Sequence, residues 1–131
     1  EVNPFHSLSH NNLGYLLAAQ GKSEEAKTHF LLAIQYEPNF QLPRFNLGLL
    51  MMSQGQPKEA IQYLQEALII EDENILYALA VAYAQTGDYK KARKYILQAK
   101  TKVTEPGKES LAKAIEDFLE QLEKVGKSDG Q

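Results

Sequence analysis

The sequence predicts an all-α fold of three helix-turn-helix hairpins followed by one extra helix. Three observations point to it. One spacing of small and apolar residues occurs three times, a glycine follows the first helical segment each time, and a last amphipathic segment has no hairpin partner. Internal periodicity of this kind is typical of repeat proteins, in which neighbouring units bury one another's apolar faces.

The three units come into register when Leu13-Gly14 is aligned with Leu47-Gly48 and Leu79-Ala80. The positions that then agree are Gly21, Gly55 and Gly87, then Ala26, Ala60 and Ala92, then Phe30, Leu64 and Ile96, then Ala33, Ala67 and Ala99. Gly55 follows Gly21 by 34 residues, whereas Gly87 follows Gly55 by 32. The two missing residues therefore lie between the second and third units.

The first segment of each unit is predicted to be a helix, because its apolar residues recur at spacings of three and four. A glycine follows each segment and can adopt the left-handed conformation that ends a helix without steric cost. The first helices are predicted at Ser7–Gln20, Gln41–Gln54 and Asn74–Thr86.

A second helix is predicted directly after each glycine, where start signals occur at Ser23, Pro57 and Asp88. Because the connecting turns are short, the two helices of a unit must be antiparallel. The small residues aligned above let them approach closely. The second helices are predicted at Glu24–Tyr36, Pro57–Ile70 and Tyr89–Val103.

This pattern resembles the tetratricopeptide repeat family, whose motif of about 34 residues runs W-x2-L-G-x2-Y, A-x3-F, A and P. The first unit matches best, through Leu13, Gly14, Ala26, Phe30, Ala33 and Pro38. Departures are His10, Arg44 and Leu76 at the tryptophan place, and Asp72 and Thr104 at the proline place. The resemblance implies a right-handed α–α superhelix, a solenoid with repeat units at 7–40, 41–72 and 73–105.

A capping helix is predicted at 106–125, where Leu111, Ile115, Phe118 and Leu122 form one apolar stripe. Terminal units of such solenoids need a polar outer face, and acidic residues opposite the stripe supply it. The alternative is a regulatory helix that leaves the domain or swaps into a neighbour. The polar residues 126–131 are predicted to be a disordered tail.

The amino-terminal residues 1–6 are predicted to be the end of a preceding repeat. Asn3-Pro4-Phe5 occupies the place that Pro38-Asn39-Phe40 occupies one repeat later, with Pro4 34 residues before Pro38. Further repeats are therefore expected upstream, in a larger multi-repeat protein.

Composition excludes several classes of function. The net charge of −3 gives no general attraction to nucleic acid, and the absence of cysteine excludes disulfides. The longest uncharged apolar run, Ile75–Ala84, is half the roughly 20 residues that a membrane-spanning helix needs, so we expect no direct membrane insertion. The compartment stays open, with the cytoplasm favoured over the periplasm.

The resemblance implies a peptide-binding groove on the concave face, lined by the first helices. Carried onto this chain, the groove residues are Leu8, Asn11, Asn12, Tyr15, Phe45, Asn46, Leu49, Met52, Tyr77, Val81 and Gln85. This mixture of aromatic, methionine and amide groups suits an apolar or amphipathic peptide.

Asn12 and Asn46 occupy equivalent places, which resembles the asparagine ladder in the repeat domain of O-linked N-acetylglucosamine transferases. A carboxamide both donates and accepts, so it can hold a peptide backbone of any sequence. The third unit breaks the ladder with Ala78. The alternative is that these amides bond to loops or neighbouring helices.

No catalytic, cofactor or metal site is predicted. His6 and His10 lie four residues apart but have no third ligand in the sequence, and no phosphate-binding loop or nucleophile motif occurs. A basic segment contains Lys90, Lys91, Arg93, Lys94, Lys100 and Lys102. We expect these charges to complement the acidic helix that follows or to face water, with an acidic partner as the alternative.

The sequence therefore predicts a non-catalytic scaffold that binds a peptide or partner protein in the groove. The alternative is a self-association module that forms homo-oligomers through the groove or through an exposed amino-terminal edge.

Overall fold

The structure, a computed structural model, describes residues 4–69 and 71–129. These residues contain seven α-helices and no strand, which confirms the predicted all-α class. The helices are α1 (Pro4–Ala19), α2 (Ser23–Tyr36), α3 (Gln41–Ser53), α4 (Pro57–Ala67), α5 (Glu73–Gln85), α6 (Tyr89–Lys100) and α7 (Glu109–Asp129). They form two compact units, one of α1–α4 and one of α5–α7.

The turn inside each hairpin is built on a glycine, as predicted. Gly21, Gly55 and Gly87 have positive φ angles of 80°, 73° and 86°. The next residue returns its backbone N–H to a carbonyl five residues earlier, as in the bond from Lys22 to Leu17 at 2.9 Å. This bond satisfies a carbonyl at the helix end and fixes the tight reversal of the chain.

The predicted start signals act in three different ways. The carboxylate of Asp88 caps α6 by accepting a hydrogen bond from the backbone N–H of Lys91; Asp72, which was not predicted as a start signal, caps α5 in the same way. Pro57 is the first residue of α4, where its missing N–H leaves no helical bond unmade. Ser23, in contrast, lies inside α2 as its first residue and makes no cap bond.

Among α1–α6, three helices begin or end three residues away from their predicted bounds. Helix α6 ends at Lys100 rather than Val103. Helix α1 begins at Pro4 rather than Ser7, so His6 is helical. Helix α4 ends at Ala67, because the N–H of Ile69 turns back to the Ala67 carbonyl at 2.8 Å. Its predicted end, Ile70, lies outside the described residues.

The predicted disordered tail is wrong for residues 126–129, which continue α7 to Asp129. Gly126 does not end the helix, because one glycine weakens a helix without stopping it. Residues 130–131 lie outside the described part of the chain, as do residues 1–3 of the predicted preceding repeat.

In the unit of α1–α4, each hairpin closes through a glycine that faces a large side chain. A Cβ atom on Gly14 would lie 2.7 Å from the Phe30 ring, and one on Gly48 would lie 2.7 Å from Cγ and Cδ2 of Leu64. Phe30 and Leu64 are almost fully buried, so neither can move aside freely. The glycines thus allow the two helices of each hairpin to approach closely.

In the unit of α5–α7, the extra helix packs against α6. Phe118 of α7 meets Tyr77 of α5 edge to face, with ring centroids 6.1 Å apart. The side chain of Lys108, just before α7, reaches Glu73 at the start of α5 with an N–O distance of 2.9 Å. These contacts place α7 over the third hairpin, as expected for a capping helix.

Because Gly48 faces Leu64 closely and Gly126 faces open space, alanine at these two helical positions should affect the free energy of unfolding differently. Gly48→Ala should lower the free energy of unfolding by about 1–3 kcal/mol, because the added methyl group overpacks Leu64. Gly126→Ala should leave it unchanged or raise it by up to about 1 kcal/mol, because its new Cβ meets nothing within 4 Å and alanine favours helix. Urea unfolding measures both, and equal effects would contradict the packing described.

Candidate functional site

The unit of α1–α4 contains an open pocket between its first, second and third helices, with a volume of about 320 Å³. Its lining is Tyr15, Ala18, Ala19, Ser23, Phe30, Asn46, Leu49, Leu50 and Ser53. Tyr15 is 62% exposed and Leu49 is 40% exposed, whereas Phe30 and Leu50 are buried. The pocket therefore has a buried apolar base and two large, accessible side chains.

The hairpin glycines explain why this pocket is lined as it is. Tyr15 directly follows Gly14, and Leu49 directly follows Gly48. Successive residues of a helix point about 100° apart, so a glycine that faces the second helix turns the next side chain away from it. Phe30 fills the space left by Gly14 and also lines the pocket.

Asn46 connects the pocket to the contact between α1 and α3. Its Nδ2 donates to Oδ1 of Asn11 at 3.0 Å, and Asn11 is only 2% exposed. Asn11 was predicted to line the groove, and this prediction is wrong because the side chain is buried as a hydrogen-bond partner of α3. Ser7, one turn earlier, is also buried and donates to the Ala33 carbonyl at 3.1 Å.

Of the predicted groove residues, the structure brings Tyr15, Asn46 and Leu49 together in the pocket. The others lie outside it. Leu8 and Asn12 are exposed on α1, Phe45 and Met52 are half-buried on α3, and Tyr77, Val81 and Gln85 lie on α5 in the other unit. The ladder of Asn12 and Asn46 stays a prediction.

The resemblance also placed Ala19 and Ser53 on the concave face, and both line the pocket. Sequence reasoning missed the other four lining residues: Ala18, Ser23, Phe30 and Leu50. Phe30 was assigned to helix packing alone, and Ser23 to the start of a helix. The sequence contained only part of this signal: Phe30 was expected to pack beside the small residues of its hairpin, and one of these, Gly14, directly precedes Tyr15.

A cluster of three histidines and a tyrosine joins α1 to α2. Nδ1 of His10 lies 2.9 Å from Nδ1 of His29. The His10 ring is parallel to that of Tyr36, with centroids 5.6 Å apart, and His6 contacts Tyr36 from one turn earlier. Within the residues that the structure describes, no group of three or more potential ligands is placed to hold a metal ion.

The bond between the two imidazoles requires at least one Nδ1 without a proton, since one nitrogen donates and the other accepts. The pKa of His10 lies below its ordinary value of 6.5, first because of burial and then because of the charges of His29 and His6. The groups that face His10 are therefore His6 on its own helix and His29 and Tyr36 on α2. The folded state favours neutral His10.

Acid should consequently weaken the domain through His10. A lowered histidine pKa in the folded state gives stability that is present above the unfolded pKa of 6.5 and is lost as pH falls below it. The midpoint of urea unfolding should drop between about pH 7.5 and about pH 5.5, and His10→Gln should show a smaller drop. An equal drop in both proteins would contradict this role of His10.

The fold agrees with comparisons to known proteins. Tetratricopeptide repeat family models match residues 7–40 and residues 51–105. The chain belongs to the tetratricopeptide repeat family. No curated protein matches it in sequence.

Solved structures of similar fold include SycD, the type III secretion translocator chaperone of Yersinia enterocolitica. It superposes with a TM-score of 0.90 at 17% identity, over 97% of this chain and 90% of that one. An alternative dimer of SycD gives a TM-score of 0.85 at 18% identity, over 92% and 93%. PcrH of Pseudomonas aeruginosa, in complex with the chaperone binding region of PopD, gives 0.83 at 20% identity, over 90% and 91%.

These likenesses establish the fold as that of helical repeat proteins. Among the described residues, no helix has both the length and the apolar character required to cross a membrane.

Proposed function

We propose that the chain is a non-catalytic scaffold that binds a segment of another protein in the pocket between α1, α2 and α3. The observation that carries this proposal is the pocket itself, in which Tyr15 and Leu49 are accessible beside the buried Phe30. Large apolar side chains that surround a concave site are the usual anchors of protein binding.

The pocket chemistry favours an apolar or amphipathic peptide. A volume of about 320 Å³ holds one large side chain, such as leucine or phenylalanine. Asn46, Ser23 and Ser53 add polar groups to the lining, and no charged side chain takes part. A peptide backbone that passes the pocket could therefore bond to amide and hydroxyl groups while one apolar side chain enters it.

The comparisons support a protein ligand. SycD is a chaperone of a secreted translocator, and PcrH is bound to the chaperone binding region of PopD. Both share the fold of this chain at identities of 20% or less. We extend to this chain only the general class of ligand, a segment of another protein.

Removal of the two accessible anchors should abolish most of the binding. Peptides selected from an unbiased array with the native chain should bind Tyr15→Ala/Leu49→Ala about 30-fold or more weakly, because two anchors of a central hot spot are lost. Fluorescence anisotropy gives the affinities.

The matched control is Leu31→Ala/Ile69→Ala, which removes two exposed apolar side chains outside the pocket. It should bind as the native chain does, and thermal melts should show both variants folded. Undiminished binding by the pocket variant would refute the pocket as the site.

The second candidate function is self-association through the outer face of α1. Leu13 is 42% exposed and Leu16 is 57% exposed, whereas their repeat equivalents Leu47 and Leu50 are 0% and 6% exposed. The apolar residues that are buried in α3 thus have accessible counterparts on α1. A second copy could cover them, and a dimer is known for SycD.

Sedimentation at increasing concentration distinguishes this candidate. If α1 forms the interface, Leu13→Asp/Leu16→Asp should keep the chain monomeric at concentrations where the native chain dimerises, since each buried leucine contributes about 1.5–3 kcal/mol. A native chain that stays monomeric at all concentrations would exclude it.

A further inference from the structure

Helix α6 concentrates positive charge on an otherwise acidic chain. It carries five cations, at Lys90, Lys91, Arg93, Lys94 and Lys100, and no anion. Since the whole chain has a net charge of −3, everything outside α6 carries −8. Four of the five cations lie within the first six residues of the helix.

Most of these cations have no carboxylate partner. Lys100 pairs with Glu116 of α7 at 3.1 Å, and Lys102, just after the helix, pairs with Glu71 at 3.4 Å. Among the described residues, no ion pair involves the four cations of the first turns, and all four are exposed. The charges were expected to complement α7 or to face water. Lys100 does the first, and Lys90, Lys91, Arg93 and Lys94 do the second.

Two of the lysines are held in place by stacked aromatic rings. The rings of Tyr83 and Tyr95 lie parallel, with centroids 5.6 Å apart. The ammonium of Lys91 is 5.4 Å from the Tyr83 centroid, and that of Lys94 is 5.4 Å from the Tyr95 centroid. Cation–π attraction restricts these side chains, so that less entropy is lost when an anion binds them.

The outer face of α6 combines charge with accessible apolar surface. Lys90, Lys94 and Leu97 follow one another at spacings of four and three, so they share one face, and Arg93 adjoins them. Leu97 is 40% exposed, and Tyr89 at the start of the helix is 39% exposed.

We propose that this face of α6 binds a short acidic segment of a partner polypeptide. Its carboxylates would pair with Lys90, Arg93 and Lys94, and an apolar residue of the segment would cover Leu97. This surface lies in the unit of α5–α7, so it is separate from the pocket proposed above and would take a second ligand segment.

The neighbouring charges favour a short acidic peptide over other anionic macromolecules. Helix α7 packs against α6 and exposes Glu116, Asp117 and Glu120. A flat anionic membrane or a long nucleic acid would meet these carboxylates, whereas a short segment along α6 need not. The tyrosine rings stack on each other, so they offer no open platform to bases.

The test uses the full chain and a fluorescein-labelled 18-residue peptide with glutamates on one helical face and leucines on the other. Lys90→Glu/Arg93→Glu/Lys94→Glu reverses the α6 charges. The helix should still fold, because all three positions are exposed and the glutamate at position 90 lies in the first turn, where it suits the helix dipole. Lys22→Glu/Lys58→Glu/Lys113→Glu makes the same change in net charge at exposed sites elsewhere.

At low ionic strength the native chain should bind the acidic peptide and should not bind its glutamine-for-glutamate counterpart. The charge-reversed α6 variant should bind the acidic peptide about tenfold or more weakly than the native chain. The control variant should lose less than about threefold in affinity. Salt should weaken binding to the native chain steeply. Lys90→Gln/Arg93→Gln/Lys94→Gln removes the charges without adding repulsion, and it should also bind the peptide more weakly. The pocket variant Tyr15→Ala/Leu49→Ala should keep the native affinity for this peptide.

Four results would overturn the proposal. One is equal weakening by both charge-reversed variants, which would leave only net charge as the cause. Another is no binding of the acidic peptide by the native chain. The others are tighter binding of an 18-nucleotide single-stranded DNA or of phosphatidylserine vesicles, and loss of peptide binding in the pocket variant alone.

Discussion

In the first hairpin, Phe30 lies so close to Gly14 that a Cβ atom at this glycine would be 2.7 Å from the ring, and Leu64 is equally close to Gly48. These two contacts set how closely the paired helices approach in the unit of α1–α4. They also fix the rotation of each first helix, because the glycine must face its partner. The third hairpin places Ala80 at the aligned position, with Ile96 aligned to Phe30 and Leu64, and both are buried.

The same contacts generate the candidate binding site. Once Gly14 and Gly48 face the second helices, Tyr15 and Leu49 are turned away from them and remain accessible. Phe30 contributes to both the helix contact and the pocket, because it fills the gap beside Gly14 and lines the pocket. Binding is thus proposed to follow from helix packing, without a specialised loop. The hydrogen bond between Asn46 and Asn11 holds α3 to α1 at the same place.

The sequence predicted the features that depend on neighbours along the chain. Glycine turns, the proline at the start of α4 and the cap at Asp88 act through local backbone geometry, so their patterns are visible in the sequence. Features that depend on packing between helices could not be predicted from the sequence in the same way. The burial of Asn11 and the contribution of Phe30 to the pocket require knowing which faces meet across helices.

The charges of α6 illustrate the same limit. A basic helix followed by an acidic one allows either mutual neutralisation or exposure to water. Within the described residues, only Lys100 of α6 reaches a carboxylate of α7, and the other four cations are exposed. The sequence gives the order of the charged residues along the chain. It does not give the directions of the side chains, which depend on the rotation of each helix.

The most direct test of the account is an NMR titration of the isotope-labelled chain with an array-selected peptide. The account predicts that the largest shifts of backbone amide signals occur at Tyr15, Asn46, Leu49 and Ser53, around the pocket. Shifts that leave these residues unchanged and concentrate on Leu13 and Leu16, or on α6, would contradict it.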